Sequence, residues 1–275
     1  MKRPVLILLS IIMILGALTL NGCKKGDKSA VVEIRTPDPG SSVIEPVPTD
    51  VPDFTPEPAV TVAPADTAGP AATATPAPVD PSVEPDQTVF DDAVFIGNSV
   101  FEGLYRFGVI THGKFFTKVG LNVNSVMTDH AEGSSVAIID ELKSGSYGKV
   151  IVLLGTNELG WPSYTTFIQK YSDLIDAIHT RQPAAMIYIT ALPPVTKKVS
   201  DTSTNGITNE NIVKMNGLLR DLAERKSVYF IGVPDELYDE TGSLPEEASS
   251  DGIHLNLKYD RIWADHITRS VMGMA

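Results

Sequence analysis

A serine, a histidine and an aspartate of this 275-residue sequence carry the side chains of a nucleophile, its base and an orienting acid. Ser99 follows a short apolar run and Gly97-Asn98, and Asp251 and His254 stand three residues apart in the segment D-G-I-H. An aspartate at this spacing can reach the Nδ1 of the histidine ring and leave Nε2 free to take a proton from a serine hydroxyl. The three residues are therefore candidates for nucleophilic catalysis. The alternative is that Asp251 and Asn256 only cap turns around the last helix.

The surroundings of Ser99 predict a strand-to-helix turn. Residues 94–96 form a compact apolar run typical of a buried strand, and Phe101, Leu104 and Tyr105 have the spacing of one helix face. A helix start offers unpaired N–H groups and the positive end of a dipole, which suit a developing oxyanion. The alternative is that Ser99 only caps the helix, as serines commonly do.

Three donors could stabilise such an oxyanion. They are the N–H of Ser99, the N–H of Gly120 and the side chain of Asn157, each directly after a predicted strand. Removal of one donor of this kind typically costs about 10²–10³ in rate. Taken singly, Gly120 could be a turn glycine and Asn157 a helix cap.

The other four histidines are weaker candidates for a catalytic or metal-binding role. His266 lies on an apolar helix face and is predicted to be a core residue, and His179 ends a helix. His112 and His130 are in loops without a convincing partner, and Asp129-His130 lacks a third metal ligand. No metal site is predicted.

Strand and helix signals alternate from residue 89 to the end of the chain. The predicted strands cover residues 94–96, 115–119, 149–154, 186–190 and 228–233. Three predicted helices cover residues 134–142, 163–180 and 209–226, and two more begin at Ser99 and at about Asn256. Alternating elements with nearly all-apolar strands indicate a parallel sheet covered on both faces. We expect an α/β fold, a three-layer α/β/α sandwich with a five-stranded parallel sheet, in which the loops carrying the candidate residues share one sheet edge.

The N-terminal segment predicts export. Lys2 and Arg3 precede an uncharged apolar run over residues 5–20, which is typical of a signal peptide covering residues 1–22. Leu20-Asn21-Gly22-Cys23 resembles the lipobox of bacterial lipoproteins, so Cys23, the only cysteine, is the predicted lipidation site. The alternative is an uncleaved anchor. Either way we expect a chain tethered to the extracytoplasmic face of the cell membrane.

A change in amino-acid composition near residue 88 divides the rest of the chain into a linker and one domain. Residues 23–88 hold 13 of the 20 prolines and are predicted to form a disordered acidic linker. Residues 89–275 suffice for a single core and hold 16 Lys and Arg against 23 Asp and Glu without a basic run. A nucleic-acid partner is therefore not expected.

The domain resembles the SGNH hydrolases, the GDSL esterase/lipase superfamily, whose flavodoxin-like fold agrees with the predicted sandwich. Four blocks carry the resemblance: G-N-S ending at Ser99, Gly120, G-T-N-E containing Asn157, and D-G-I-H from Asp251 to His254. The resemblance implies that Ser99 is the nucleophile, His254 the base and Asp251 its orienting acid. It also implies that Ser99, Gly120 and Asn157 form the oxyanion hole.

Two further asparagines bear on this resemblance. Asn98 stands where the family usually has an aspartate that is not a member of the triad, and Asn216 resembles a frequent family asparagine with a structural role.

The resemblance implies a serine esterase that needs no metal or organic cofactor. A small acyl ester is the expected substrate, and the predicted location favours O-acetyl groups on cell-wall or extracellular glycans. Two alternatives use the same fold: an acyltransferase with the same triad, and a non-catalytic glycan-binding module.

Overall fold

The computed structural model describes residues 80 and 82–274. The predicted signal peptide, Cys23 and most of the predicted linker lie outside the described residues. Just before the predicted domain boundary, the carbonyl of Val83 accepts a hydrogen bond from Arg269, and the N–H of Asp86 donates to the sulfur of Met272. Within the described part of the chain, no helix is long and apolar enough to span a membrane.

A five-stranded parallel sheet forms the centre of the domain, in the order β2-β1-β3-β4-β5. The strands are β1 Ala93–Gly97, β2 Lys114–Thr117, β3 Lys149–Leu153, β4 Met186–Thr190 and β5 Tyr229–Ile231. All residues of β1 and β3 are buried, as expected for strands covered on both faces. The predicted α/β fold with five parallel strands is confirmed, and its strand order is that of flavodoxin-like sheets.

The described residues include six α-helices. They are α1 Ser99–Arg106, α2 Ile138–Glu141, α3 Tyr164–Arg181, α4 Lys197–Thr202, α5 Asn209–Lys226 and α6 Leu257–Met274. α1 packs against α6, whereas α3 packs against both α2 and α5. The longest helices bury the apolar faces that their periodicity predicts, including Phe167, Leu174 and Ile178 of α3.

Several predicted boundaries differ from the structure. The helix predicted over residues 134–142 is reduced to Ile138–Glu141, because His130 bridges to Ala137 and the N–H of Ile138 donates to the carbonyl of Asp129. The strands predicted over residues 115–119 and 228–233 are shorter, because each lies at a sheet edge and pairs with only one neighbour. Helix α4 was not predicted.

The parallel arrangement brings the carboxyl ends of the strands to one edge. β1, β2 and β3 are neighbours in the sheet, so the loops that follow them, with Ser99, Gly120 and Asn157, emerge side by side. The loop before α6 contributes Asp251 and His254 to the same edge. This edge is where open α/β sheets bind ligands.

Candidate active site

Ser99 is the first residue of α1, directly after β1. Asn98, not Ser99, is the helix cap: its Oδ1 accepts a hydrogen bond of 3.0 Å from the N–H of Val100. Gly97 allows the tight turn, since a Cβ there would lie 2.8 Å from Cδ2 of Phe101. The strand-to-helix turn is therefore confirmed, the capping alternative for Ser99 is wrong, and the serine hydroxyl is free for another partner.

That partner is His254. Its Nε2 lies 2.9 Å from the Oγ of Ser99, and its Nδ1 lies 2.7 Å from Oδ2 of Asp251. With Nδ1 protonated and donating to the carboxylate, Nε2 can accept the serine proton. The side chains of His254 and Asp251 are 47% and 52% exposed, so water reaches this group of residues.

The second oxygen of Asp251 orders the loop that carries His254. Oδ1 accepts hydrogen bonds of 2.9 Å from the N–H groups of both Ile253 and His254. Burial raises the pKa of Asp251, but its hydrogen bonds with His254 and Ile253 outweigh burial and hold the pKa well below its usual range. Asp251 is therefore ionised at neutral pH and can stabilise a protonated His254.

Ser249 is a site residue that sequence reasoning missed. Its Oγ accepts a hydrogen bond from the N–H of Gly252 and lies 2.6 Å from the carbonyl O of His254 and 3.0 Å from Oδ1 of Asp251. Its single proton serves one of these two acceptors. The signal available in the sequence was a serine two residues before an aspartate in a polar loop, a common local motif.

The loop between Asp251 and His254 packs tightly against the segment that leads into α4. Gly252 has φ +82°, and a Cβ on it would lie 2.3 Å from Cγ2 of Val199 and 2.5 Å from Oγ1 of Thr196. The carbonyl of Gly252 accepts a hydrogen bond of 2.9 Å from the N–H of Thr196. Only glycine fits here, which explains the second position of D-G-I-H.

The candidate oxyanion donors lie on three neighbouring loops. The N–H of Ser99 is at the first position of α1, where no helix carbonyl can accept it. Gly120 is exposed with φ +77°, and its N–H donates to no acceptor among the described residues. The Nδ2 of Asn157 donates to the carbonyl of Leu121 at 2.9 Å. Asn157 is therefore tied to the residue after Gly120 and is not a helix cap.

Glu158, next to Asn157, is a buried carboxyl for which no role was predicted. It is 0% exposed, its Oε1 accepts a hydrogen bond of 2.8 Å from the N–H of Val123, and its Oε2 has no partner among the described residues. Burial raises the pKa of Glu158 to about 7, against the hydrogen bonds from backbone N–H groups. It joins the loop after β3 to the loop after β2.

A second buried carboxyl lies near His254. Asp260, in the first turn of α6, is 3% exposed. Burial raises its pKa to about 7, and the charge of His254 opposes that rise. Sequence reasoning missed this residue, because an aspartate in the first turn of a helix is common and carries no distinctive signal.

The remaining candidates have structural partners. His112 pairs with Asp91 at 2.6 Å, and Asp129 accepts a hydrogen bond from Lys118 at 2.9 Å. His266, which was predicted to be a core residue, is half-buried on α6. No cluster of three metal-ligating side chains occurs among residues 80 and 82–274.

Two asparagines of α5 hold the chain after β4. Asn216 makes a pair of hydrogen bonds with the backbone of Leu192, 2.8 Å from its N–H and 3.0 Å to its carbonyl, which agrees with the structural role predicted for it. Asn209 bonds the N–H and the carbonyl of Val195 in the same way, each at 2.9 Å. This second clamp was not predicted.

Comparison with solved structures shows the fold. A candidate platelet activating factor from Streptococcus pneumonia is 24% identical with a TM-score of 0.52, and the match covers 70% of this chain and 86% of that one. A GDSL-like lipase from Bacteroides thetaiotaomicron is 13% identical with a TM-score of 0.51, covering 70% and 93% of the two chains. A candidate acylhydrolase from Bacteroides fragilis has the same identity and TM-score, covering 70% and 91%.

A search of curated protein sequences finds no match. The model of the GDSL-like lipase/acylhydrolase family matches residues 122–261. This match includes Asn157, Asp251 and His254 and begins after Ser99 and Gly120, which the fold brings to the same sheet edge. The chain therefore belongs to the GDSL-like lipase/acylhydrolase family, as its four sequence blocks predicted.

Proposed function

We propose that this protein is a serine esterase that hydrolyses small acyl esters, O-acetyl groups above all, through an acyl-enzyme formed on Ser99. The observation that carries the proposal is the chain of contacts from Ser99 Oγ to His254 Nε2 at 2.9 Å and from His254 Nδ1 to Asp251 Oδ2 at 2.7 Å. A nucleophile, a base and an orienting acid in this geometry are the parts that acyl transfer requires.

The proposed first half-reaction forms the acyl-enzyme. Ser99 Oγ bonds to the carbonyl carbon of the ester while its proton passes to Nε2 of His254. The negative charge that develops on the carbonyl oxygen is stabilised by the N–H groups of Ser99 and Gly120 and by Asn157. When the tetrahedral intermediate collapses, the ester C–O bond breaks and the leaving alcohol takes the proton from His254.

The second half-reaction restores the enzyme. His254 takes a proton from water as the water oxygen bonds to the acyl carbon, and Ser99 leaves with that proton as the carboxylic acid is released. Asp251 stays ionised throughout and stabilises the imidazolium. The exposure of His254 and Asp251 supports hydrolysis, because water has direct access to the acyl-enzyme.

The proposed substrates are O-acetylated cell-wall or extracellular glycans, because the N-terminal sequence indicates an exported, lipid-anchored chain. The run over residues 5–20, the lipobox-like Cys23 and the Pro-rich stretch up to residue 88 support a tether that holds the enzyme outside the cytoplasmic membrane. This is the support for the choice of substrate class.

The test is turnover of p-nitrophenyl acetate by the full chain in detergent. Ser99→Ala and His254→Ala should each lower kcat by about 10³ or more, since single removals from such a triad cost that much. His112→Ala is the matched control, because this histidine pairs with Asp91 instead. Variants at 99 and 254 that keep wild-type turnover would refute the mechanism, and acetate transferred to an added sugar in place of water would indicate the acyltransferase.

A further inference from the structure

A groove of about 850 Å³ is lined on one side by the loop after β3 and the start of α3, and on the other side by the loop after α4 and the first half of α5. Its lining includes Trp161, Tyr164, Asn205, Asn211 and Lys214. None of these residues takes part in the triad or in the candidate oxyanion hole.

The two walls of the groove meet through glycines. A Cβ on Gly160 would lie 2.2 Å from the carbonyl O of Asn205, and a Cβ on Gly206 would lie 2.7 Å from the Cα of Gly160. Gly206 has φ +82°, so this backbone conformation also favours glycine. The two loops are thus in direct backbone contact where they line the groove.

Each wall is connected to one element of the candidate active site. One wall starts at Leu159, two residues after Asn157. The other wall follows α4, whose Val199 packs against Gly252 in the loop of His254. The groove is therefore built from segments that adjoin the loop of Asn157 in sequence and the loop of His254 through Val199.

The side chains of the groove suit a sugar. Trp161 is half-buried and is held edge-on against Phe167, with ring centroids 6.5 Å apart at 88°. Tyr164 is fixed by a hydrogen bond of 2.7 Å from its hydroxyl to the carbonyl of Leu159. Fixed aromatic rings can stack on the C–H face of a pyranose, and the neighbouring amides of Asn205 and Asn211 can bond its hydroxyl groups.

The groove carries a positive charge, although the chain as a whole is acidic. The sequence has 34 acidic residues against 22 basic ones, yet among the described residues the groove is lined by Lys214 and by no carboxylate. The ammonium of Lys214 lies 5.3 Å from the centre of the Tyr164 ring. A neutral or anionic ligand is therefore accepted without repulsion, which agrees with a polysaccharide.

We propose that this groove is a glycan subsite that binds a sugar unit other than the esterified one, with Trp161 as its stacking platform. The inference rests on the proposed esterase function and adds to it the residues that distinguish a glycan ester from a small ester. Trp161 is a binding residue in this proposal, so its removal should act on KM for glycan esters and leave turnover of a small ester unchanged.

The experiment compares p-nitrophenyl acetate with three O-acetylated probes: xylo-oligosaccharides, oligogalacturonate and N-acetylglucosamine oligomers. Trp161→Ala should raise KM at least tenfold for one or more probes, with kcat retained and with p-nitrophenyl acetate turnover within twofold of wild type. Trp161→Phe keeps an aromatic face and should recover most of the loss. Phe107→Ala, an exposed aromatic at the end of α1, is the matched control and should change neither substrate.

Binding of the deacetylated oligomers, followed by NMR on wild type and Trp161→Ala, gives a readout independent of catalysis. If wild type hydrolyses p-nitrophenyl acetate but neither binds nor deacetylates any of the three probes, the groove proposal is overturned and the esterase proposal stands. Equal KM values for wild type and Trp161→Ala overturn it too. If p-nitrophenyl acetate turnover is absent, the esterase proposal fails. The NMR titration then tests the groove proposal by itself, which stands only if wild type binds an oligomer more tightly than Trp161→Ala does.

Discussion

The Oε1 of Glu158 accepts a hydrogen bond of 2.8 Å from the N–H of Val123, and this bond joins the loops after β3 and β2 from within the core. The neighbouring Asn157 bonds the carbonyl of Leu121 at 2.9 Å. Two consecutive residues of one loop thus hold two residues of the other. The distance between Gly120 and the Asn157 amide is set by this double connection.

We expect Glu158→Ala to lower kcat for p-nitrophenyl acetate by at least about tenfold. The substitution should displace Asn157, and loss of one hydrogen-bond donor to the oxyanion typically lowers the rate by about 10²–10³. KM should change little. Glu158→Gln keeps the acceptor for Val123 and should stay within a few-fold of wild type. Steady-state kinetics on both variants decide this, and equal kcat for Glu158→Ala and wild type would contradict the positioning role.

Two buried carboxyls should lower the stability of the domain as pH rises from about 4.5 to 7. Glu158 has a pKa of about 7 in the folded chain, against an ordinary value of 4.5. As pH rises, the unfolded chain therefore loses this proton before the folded chain does. Between these two values, folding must take up a proton at Glu158, which lowers the free energy of unfolding. At 1.36 kcal/mol per pKa unit, the loss from Glu158 is about 3 kcal/mol and is complete above pH 7. Asp260 lowers the stability in the same direction, because its pKa is raised from 3.8 to about 7 in the folded chain.

Urea denaturation of the full chain at several pH values between 4 and 8 measures this effect. Glu158→Gln should flatten the profile, and adding Asp260→Asn should flatten it further, since each variant removes one titrating group. If the wild-type profile had the same slope between pH 5 and 7 as the variant with both substitutions, these carboxyls would ionise freely in the folded protein.

Gly252→Ala should destabilise the protein and reduce activity. The new methyl group meets Val199 and Thr196 at 2.3 and 2.5 Å, in a backbone with φ +82°. We expect a cost of about 2–3 kcal/mol in the free energy of unfolding, together with a loss of kcat because the loop of His254 must move.

Gly242→Ala is the matched control for this variant. Its φ of +77° is nearly the same, but a Cβ there meets no atom within 4 Å. It should therefore show only the cost of the backbone conformation, about 1 kcal/mol, with unchanged activity. If both substitutions cost the same in urea denaturation, close contact at Gly252 is not important.

Asn98→Ala should remove the cap of α1 and cost about 1 kcal/mol of stability, since the Oδ1 bond to Val100 is lost. Asn98→Asp keeps this acceptor and also replaces Nδ2, a buried donor that has no partner among the described residues. Thermal unfolding should rank Asn98→Asp above Asn98→Ala, with kcat of Asn98→Asp within tenfold of wild type. The reverse ranking would mean that the carboxylate is not tolerated at this position.

Cys23→Ser should abolish fatty-acid labelling of the chain in bacteria and release it from the membrane fraction, because the lipobox-like sequence has no other cysteine to modify. Metabolic labelling with an alkyne fatty acid, followed by fractionation, measures both properties. Lys24→Ala is the matched control and should keep the label. Labelling of Cys23→Ser would place the lipid elsewhere.

Sequence alone determined the fold class and most of the long elements. The bounds predicted for β4 and α5 agree with the structure, because the apolar run of Met186–Thr190 and the helical spacing of Ile212, Met215 and Leu219 are local signals. The candidate residues were also found from sequence, since a serine after a strand and D-G-I-H before a helix are local patterns as well.

Tertiary contacts decided the rest. Residues 134–137 are not helical because Ala137 pairs with His130, and β5 is short because it has a single partner in the sheet. The 2.9 Å contact between Ser99 and His254 and the clamp between Glu158 and Val123 join residues 155 and 35 positions apart. Such contacts leave no periodic signal in the sequence, because their geometry depends on strand order and on which loops the sheet brings to the same edge.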